Sequence, residues 1–425
     1  MSSQAALQSK SAGPAAGGTP ALPGHALRVK PKKGSSQIRL ALISCGLGNV
    51  TRGFEVSTAR LYKALSADKQ MDVRLYTGGK YETATKTIWN IPRDLVIKSP
   101  IGLLSHINDR RVWEFSYGVE QISFGLFLWP ELVKWRPDVV WTKEVPFAYF
   151  LLHYRKMFNL KLKVIFANGG AFRPQTYKDF DYIQHLETES YQEAQKFGIP
   201  EEKMTLLTNC IDLQLSPKPR DVLRAQFGYT PNDWIVICVA AWNRHHKRID
   251  YVINEVAQMK NDNVKLLFCG HPEPETPILK KLAQEKLPGR VQWLTLAESQ
   301  VQEALQAADV FVMSSLHEAL GNSLVEAVLA GTPVVSHEHG ASKFLLREHE
   351  RMTDLSQPGN LTRRLLELMQ SPPERDDLIM LQERAREQFS QETTVQRFYE
   401  MVARVSNLPP RDPQPVGSYD LSAEN

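Results

Sequence analysis

Two successive halves of this chain repeat one pattern, in which short runs of β-branched and other apolar residues alternate with segments of helical periodicity. The runs that we predict as strands in the first half are 38–44, 73–78, 138–143, 163–168 and 205–209. Those in the second half are 233–242, 264–270, 290–295, 309–315 and 332–337. Strands that alternate with helices pair in parallel and lie between helical layers. The sequence therefore predicts an α/β fold of two Rossmann-like parallel-sheet domains that face each other across a cleft.

The boundary between the domains is predicted in the segment 215–233, which follows the last strand of the first half and contains three prolines. Ligands of open α/β sheets bind beyond the carboxyl ends of the strands, so we sought site residues in the loops there. The predicted units are a disordered basic tail (1–36), an N-terminal domain (37–215), a C-terminal domain (216–390), a helix that packs back across the boundary (391–407) and a frayed tail (408–425).

The charge of the chain argues against a nucleic-acid partner. The 425 residues include 51 basic and 47 acidic side chains, and the segment 1–36 contains five of the basic ones and no acid. The remainder therefore has 46 basic and 47 acidic residues, a net charge of −1. Since a nucleic-acid groove requires a surplus of Lys and Arg in the folded domains, we predict that this protein does not bind nucleic acid.

Targeting signals are not evident in the sequence. The start lacks the compact apolar core of a signal peptide, and no uninterrupted apolar stretch reaches about 18 residues, so we expect a cytoplasmic protein. The four cysteines are spaced too widely for paired metal ligands and are expected to be reduced and buried. The aromatic-rich segments 113–129 and 145–152 are expected to be core helices, with peripheral contact to the inner face of a membrane as the alternative.

Two glutamates eight positions apart follow the strand predicted at 309–315, in the run HEALGNSLVEAVLAGTPVV. Glu318 is predicted in the loop and Glu326 in the first turn of the next helix, so both can line one edge of the cleft. Gly321 allows close approach of a ligand to the backbone, and the amides of Leu320 to Ser323 are predicted to face an anion such as a diphosphate. Alternatively, Ser323 and Glu326 form an S-x-x-E capping box, in which Glu326 only caps the helix.

The segment HEALGNSLVEAVLAGTPVVSHEHG resembles the E-x7-E segment of retaining glycosyltransferases of family 4, which have the glycosyltransferase-B fold, and the resemblance covers about residues 37–405. It implies that Glu318 lies against the hydroxyls of the transferred sugar. It also implies that Glu326 binds the ribose of a nucleotide-diphospho-sugar donor. The donor's diphosphate would then be bound by the loop residues Leu320, Gly321, Asn322 and Ser323.

The segment AAWNRHHKRID, residues 240–250, resembles the Arg…Lys segment of the same family. This resemblance implies that Arg244 and Lys247 neutralise the leaving diphosphate as the glycosidic bond breaks. The family's arginine usually lies five residues before the lysine, where this chain has Trp242, so we assign its role to Arg244. The alternative is that both side chains are a solvated basic start of a helix.

In the first half, one loop resembles the family and one position departs from it. The loop from Gly46 to Gly53 is similar to its glycine-rich loop, which implies that Gly53 faces the phosphates and the acceptor. Alternatively, these glycines only make a tight turn. Asn168 replaces a histidine that family members usually have near the reacting sugar; an asparagine can hydrogen-bond a sugar but cannot act as a base.

We predict no metal and no bound cofactor. The pair Asp179 and Asp181 has the D-x-D spacing that binds Mn²⁺ or Mg²⁺ in glycosyltransferases of another fold, but a solvated pair is the expected explanation. The histidines His245 and His246, and likewise His337 and His339, lack a third ligand at a recognised spacing.

The expected activity is transfer of a sugar, with retention, from a nucleotide-diphospho-sugar held mainly by the C-terminal domain to a glycan, lipid-linked or small-molecule acceptor on the N-terminal side. By family analogy, the leaving phosphate helps to deprotonate the acceptor. The alternatives are a sugar-nucleotide epimerase, a phosphorylase, and a non-catalytic sugar-nucleotide-binding subunit. The last is suggested by Trp242 and Asn168 at positions that are usually Arg and His.

Overall fold

The computed structural model describes residues 37–50, 53–67, 71–97, 99, 109–170, 172–211, 215–346 and 352–407. The predicted tails, 1–36 and 408–425, lie outside these residues. Within the described residues, no helix combines the length and hydrophobicity needed to cross a bilayer.

The first sheet has seven parallel strands in the order β3-β2-β1-β4-β5-β6-β7. They are β1 (Arg39–Ser44), β2 (Asp72–Thr77), β3 (Lys86–Thr87), β4 (Val139–Thr142), β5 (Lys163–Asn168), β6 (Tyr182–His185) and β7 (Met204–Leu206). The second sheet has five parallel strands in the order β10-β9-β8-β11-β12. They are β8 (Trp234–Val239), β9 (Val264–Cys269), β10 (Val291–Leu294), β11 (Val310–Met313) and β12 (Val334–Ser336).

Helices connect and cover these strands. Those of the first half are α1 (Gly53–Ala67), α2 (Arg93–Ile97), α3 (Asp109–Trp135), α4 (Val145–Met157) and α5 (Thr188–Phe197). Those of the second half are α6 (Arg220–Gln226), α7 (Ile249–Gln258), α8 (Thr276–Lys286), α9 (Glu298–Ala307), α10 (Asn322–Leu329), α11 (Gly340–Leu346), α12 (Asn360–Gln370), α13 (Arg375–Phe389) and α14 (Gln391–Ser406). The predicted fold class, two Rossmann-like parallel-sheet domains, is confirmed.

Each sheet separates two apolar cores, and β1 shows why. All its residues after Arg39 are buried, and successive side chains point to opposite faces. Leu40 and Leu42 therefore join one core, while Ala41 and Ile43 join the other. Unbroken apolar runs of this kind are typical of parallel strands covered by helices on both faces.

Helix α14 packs on the sheet of the first half, although it follows the whole second half in sequence. Phe398 and Val402 lie in the same core as Leu40, and the ring of Phe398 is 6.2 Å from that of Trp141. Ser390 begins the helix, because its hydroxyl accepts a hydrogen bond from the Thr393 amide at 3.2 Å. The chain thus crosses between the two sheets a second time.

Strands β3 and β6 were not predicted individually, and neither was helix α6, which lies in the segment assigned to the domain boundary. Strand β3 is only two exposed residues, and β6 has the polar residues Gln184 and His185 in half of its positions, so neither has a clear apolar signal. The segment 215–233 is more than a linker, because it contains α6, and Leu223 of this helix lies in a core of the second sheet. The four cysteines all lie buried and form no disulfide, as expected.

Candidate functional site

Two loops at the carboxyl ends of neighbouring strands bring a cation and an anion together. Lys247 lies in the loop between β8 and α7, and Glu318 lies in the loop between β11 and α10. The Lys247 ammonium donates a hydrogen bond to Oε1 of Glu318, and Nε2 of His246 is 3.5 Å from the same oxygen. Because β8 and β11 are paired in parallel, residues 71 positions apart meet at one edge of the sheet.

The Glu318 carboxylate is held in its charged form. Burial by itself would raise the pKa of Glu318, but the charges of Lys247 and His246 outweigh burial and keep this pKa below its usual value. The side chain is only 11% exposed. A buried, ionised carboxylate next to a lysine can accept hydrogen bonds from hydroxyl groups of a ligand.

Asn243, which the sequence analysis did not single out, shapes the loop that presents Lys247. Its buried side-chain oxygen accepts hydrogen bonds from the amides of His246, at 3.2 Å, and Lys247, at 2.8 Å. The Ser314 hydroxyl donates to the Lys247 carbonyl at 2.6 Å, which ties the two loops together. An asparagine just after a strand is the only sequence signal for this role, and it is a weak one.

Helix α10 begins differently from the capping-box alternative. Gly321, with φ +69° in the left-handed region, precedes the first helical residue, and no side chain caps the helix there. Ser323 is the second helical residue, so the S-x-x-E capping box is wrong. A Cβ at residue 321 would also meet the sulfur of Met313 at 2.9 Å, which explains why glycine is required.

The other residues predicted to bind the diphosphate lie around this helix start. The side chain of Leu320 is buried in the core, so only its backbone can face a ligand. Asn322 accepts a hydrogen bond on its side-chain oxygen from Asn209 of the first half, at 2.9 Å. Ser323 lines a small cavity together with Lys247 and Ser314.

Glu326 lies in the second turn of α10, and the prediction that it lies in the first turn is wrong, because the helix begins at Asn322. Its carboxylate accepts a hydrogen bond from Nη2 of Arg60, on α1, at 2.8 Å. Arg60 also pairs with Glu298, at 2.7 Å. Burial raises the pKa of Glu326 and Arg60 opposes that rise. This ion pair joins the two halves of the molecule across the cleft.

Arg244 and Trp242 have contrasting environments. The Arg244 side chain is 49% exposed, and its Nε is 3.5 Å from a carboxylate oxygen of Asp250. Trp242 is buried in the core of the second sheet, with its ring 5.2 Å from that of Trp293. Trp242 therefore takes the place of the expected arginine in sequence, but its side chain is part of the core.

On the opposite wall, Gly53 begins α1, and a Cβ at this position would be 3.8 Å from Nδ2 of Asn322. Gly53 therefore faces the start of α10. Asn168 ends β5 and is buried; its side-chain oxygen and nitrogen both bond the backbone of Phe172, at 3.0 and 3.3 Å. These bonds shape the loop after β5, and a sugar contact by Asn168 stays a prediction.

The residues considered as metal ligands have other contacts. Asp181 pairs with Arg155 and accepts a hydrogen bond from the Val164 amide at 2.8 Å, so it stabilises the sheet edge and is not simply solvated. His337 accepts from the Leu355 amide at 3.1 Å, and His339 contacts the Ser342 hydroxyl at 3.2 Å. Across the described residues, no group of three or more His, Cys, Asp or Glu side chains could hold a metal ion.

The two facing Rossmann-like parallel sheets have the glycosyltransferase-B fold. The family described as "Glycosyl transferases group 1" matches residues 219–387. Over 181 residues the chain is 30% identical to the lipopolysaccharide core biosynthesis glycosyltransferase LpsE of Rhizobium meliloti, covering 41% of this chain and 51% of LpsE. Over 153 residues it is 26% identical to 2-deoxystreptamine glucosyltransferase of Streptomyces kanamyceticus, covering 35% of this chain and 40% of that enzyme. The chain thus matches about half or less of the length of these relatives.

Solved structures share the fold over most of both chains. Anabaena HepE in complex with UDP and glucose superposes with a TM-score of 0.68 at 15% identity, covering 86% of this chain and 100% of HepE. WaaG, a glycosyltransferase involved in lipopolysaccharide biosynthesis, superposes with a TM-score of 0.58 at 16% identity, covering 86% and 99% of the two chains.

Proposed function

We propose that this protein is a retaining glycosyltransferase of family 4, which transfers a sugar from a nucleotide-diphospho-sugar to an acceptor. The observation that carries the proposal is the partly buried pair of Lys247 and Glu318, which lies at the carboxyl edge of the second sheet, inside the region that matches the group 1 family. A cation beside an ionised carboxylate, next to a helix N-terminus, suits a ligand that joins a diphosphate to a sugar.

In this proposal, the donor binds to the second sheet. The start of α10 and Lys247 bind the diphosphate, and Arg244 reaches it from the more exposed side of the same loop. Glu318 accepts hydrogen bonds from hydroxyls of the transferred sugar, and Glu326 accepts them from the ribose. The charges that stabilise the departing diphosphate are protein side chains and backbone amides, so we propose that the reaction needs no metal and no bound cofactor.

The acceptor is proposed to bind against the first half of the molecule, beside Gly53 and Asn168. The curated relative LpsE is named for lipopolysaccharide core biosynthesis, and the streptamine enzyme for a small aminocyclitol. These names support a glycan, a glycolipid or a small polyol as the acceptor class.

The test begins with a thermal-shift screen of UDP-, GDP- and ADP-sugars, since a ligand at 100 times its Kd stabilises a protein by about 2.7 kcal/mol. The stabilising donor is then incubated with and without EDTA, and donor hydrolysis and acceptor transfer are followed. We expect turnover that survives EDTA and, by NMR, a product with the donor's anomeric configuration. Inversion would refute the retaining mechanism, and loss of activity restored by Mn²⁺ would refute metal independence.

A non-catalytic sugar-nucleotide-binding subunit is the second candidate, because Trp242 is buried in the core and the Asn168 side chain is bonded to its own loop. Tight donor binding with no hydrolysis and no transfer to any acceptor in a broad panel would favour this candidate. Product analysis also separates the epimerase and phosphorylase alternatives, since an epimerase returns a sugar nucleotide and a phosphorylase a sugar phosphate.

We also propose that the enzyme acts in the cytoplasm, at the inner face of a membrane. Helix α3 has a buried face that includes Phe124 and Leu128, and an exposed apolar face. The rings of Trp89 and Phe127 stack edge to face at 4.7 Å on that side. The exposed apolar residues of this surface are Trp89, Phe115, Ile122, Leu126 and Phe127. An apolar surface of this kind suits the headgroup boundary of a bilayer.

Flotation with vesicles of anionic and of neutral lipid tests this surface. We expect the wild type to float and the double substitution Ile122→Ser with Phe127→Ser to stay in solution. Ile278→Ser removes an equally exposed apolar side chain from the second half and is the matched control. Equal flotation of all three proteins would refute the role of this surface.

A further inference from the structure

Lys143 is a buried lysine that the roles above do not use. It follows β4 directly, at the carboxyl edge of the first sheet, and is 3% exposed. Its ammonium donates hydrogen bonds to the Ser57 hydroxyl, at 2.5 Å, and to the side-chain oxygen of Asn209, at 3.0 Å. Both of these partners are uncharged.

Burial of this charge is costly. Among the described residues, neither hydrogen bond of the Lys143 ammonium goes to a carboxylate. Burial lowers the pKa of Lys143 to about 7, against a smaller opposing effect of Glu55 on α1. The neighbouring carboxylate of Glu144 faces away from it, toward the Cys45 amide at 2.8 Å. A buried amine without a counter-ion is stabilised when an anion binds beside it.

A chain of hydrogen bonds connects Lys143 to the other wall of the cleft. The side-chain oxygen of Asn209 accepts a hydrogen bond from Lys143. Its side-chain nitrogen donates a hydrogen bond to Asn322, the first residue of α10. Ser57 lies one turn inside α1, whose first residue, Gly53, faces that same asparagine. The N-termini of α1 and α10 therefore converge, and Asn209 bridges the Lys143 ammonium and the first residue of α10.

We propose that Lys143 supplies a cation to a phosphate-binding site on the first-sheet wall of the cleft. The inference rests on the proposed function, because the phosphate belongs to either the donor's diphosphate or a phosphorylated acceptor. The uncharged partners Ser57 and Asn209 hold the amine in place and leave its charge to be paired by the ligand. The converging helix N-termini favour the same sign of charge in the ligand.

The experiment is isothermal titration of the full chain with UDP, GDP and ADP, and then with glucose 6-phosphate in the presence of the nucleotide that binds. We expect Lys143→Met to lower the affinity for one of these ligands about tenfold or more, because a charge-assisted hydrogen bond is lost. The melting temperature should be unchanged or higher, because the substitution removes a buried, unpaired charge. Lys156→Met, which removes an exposed lysine from α4, should bind like the wild type.

The ligand whose binding is weakened identifies the source of the phosphate. Weaker binding of a nucleotide points to the donor, and weaker binding of glucose 6-phosphate alone points to the acceptor. Titration of the wild type at pH 8 in two buffers of different ionisation enthalpy should also show proton uptake on binding. That measurement does not depend on whether Lys143→Met folds. Unchanged affinity in Lys143→Met, or no proton uptake by the wild type, would overturn the inference while leaving the proposed function intact. Absence of any nucleotide binding to the wild type would instead refute the proposed function.

Discussion

Replacing Glu326 with glutamine tests whether this carboxylate binds the donor's ribose. In the structure the carboxylate is bonded to Arg60 at 2.8 Å, and the two side chains are 11% and 12% exposed. Nucleotide binding would therefore have to share this carboxylate with Arg60. Glutamine keeps the size and one acceptor oxygen but removes the charge, so it isolates the charge-assisted part of both interactions.

The expected magnitudes differ for binding and for stability. Loss of a hydrogen bond to a charged group costs about 1.5–3 kcal/mol, which corresponds to a nucleotide Kd about 10- to 150-fold weaker. The free energy of unfolding should change by less than about 1 kcal/mol, because Arg60 keeps Glu298 at 2.7 Å and the burial of a carboxylate charge is relieved. The donor KM should rise and kcat should change little, since the ribose is remote from the bond that breaks.

Glu298→Gln is the matched control. It removes a carboxylate from the same Arg60, but Glu298 is 53% exposed and has no proposed contact with the donor. We expect its nucleotide Kd to stay within about threefold of the wild type, a change of less than about 0.7 kcal/mol. Titration calorimetry and melting curves on the three proteins provide the comparison. Equal weakening by both substitutions would show that the effect passes through Arg60, and would refute the ribose role of Glu326.

Three further predictions concern the same cleft and the core behind it. Glu318→Gln should depress kcat more than it raises the donor KM in steady-state kinetics, because this carboxylate is proposed to touch the reacting sugar; a pure KM effect would contradict that role. Lys247→Ala should lower kcat about 10²- to 10³-fold and Arg244→Ala about tenfold or less, since only Lys247 contacts Glu318 in a partly buried site; the reverse order would exchange their roles. Burial raises the pKa of Glu144 to about 8. From about pH 5 to 8 the folded state therefore binds more protons at Glu144 than the unfolded state, and the contribution of Glu144 to the free energy of unfolding falls as pH rises. Melting temperatures of Glu144→Gln minus those of the wild type should therefore increase across that window, and a flat difference would show that Glu144 is ionised in the folded protein.

Local sequence patterns were sufficient for the fold class and for part of the site. Strands β1, β4, β5, β8, β9, β11 and β12 are largely buried, mostly apolar runs, and such runs are visible in sequence because both faces of a parallel sheet are covered. The loop that contains Glu318 and the glycine before α10 could be located for the same reason, since they lie within a few residues of a strong strand and a strong helix.

The capping box at the start of α10 is a local sequence pattern that the structure does not form. Ser323 and Glu326 fit the capping-box spacing, yet the left-handed conformation of Gly321 starts α10 one residue before the serine. The spacing is compatible with both helix starts, and in the observed one the left-handed residue 321 must be glycine because a Cβ there would meet the Met313 sulfur at 2.9 Å.

The contacts between distant segments were decided by the tertiary structure alone. The pairing of β8 with β11 brings Lys247 to Glu318, and the docking of α1 against α10 brings Arg60 to Glu326. Helix α14 shows an apolar face in sequence, but only the complete sheet shows that Leu40 and Trp141 receive it. Lys143 has no motif around it, and its burial next to Asn209 and the start of α10 depends on residues from both halves of the chain. Sequence periodicity reports whether a side chain is buried within its own element, whereas the partner of a buried charge depends on which elements the fold places side by side.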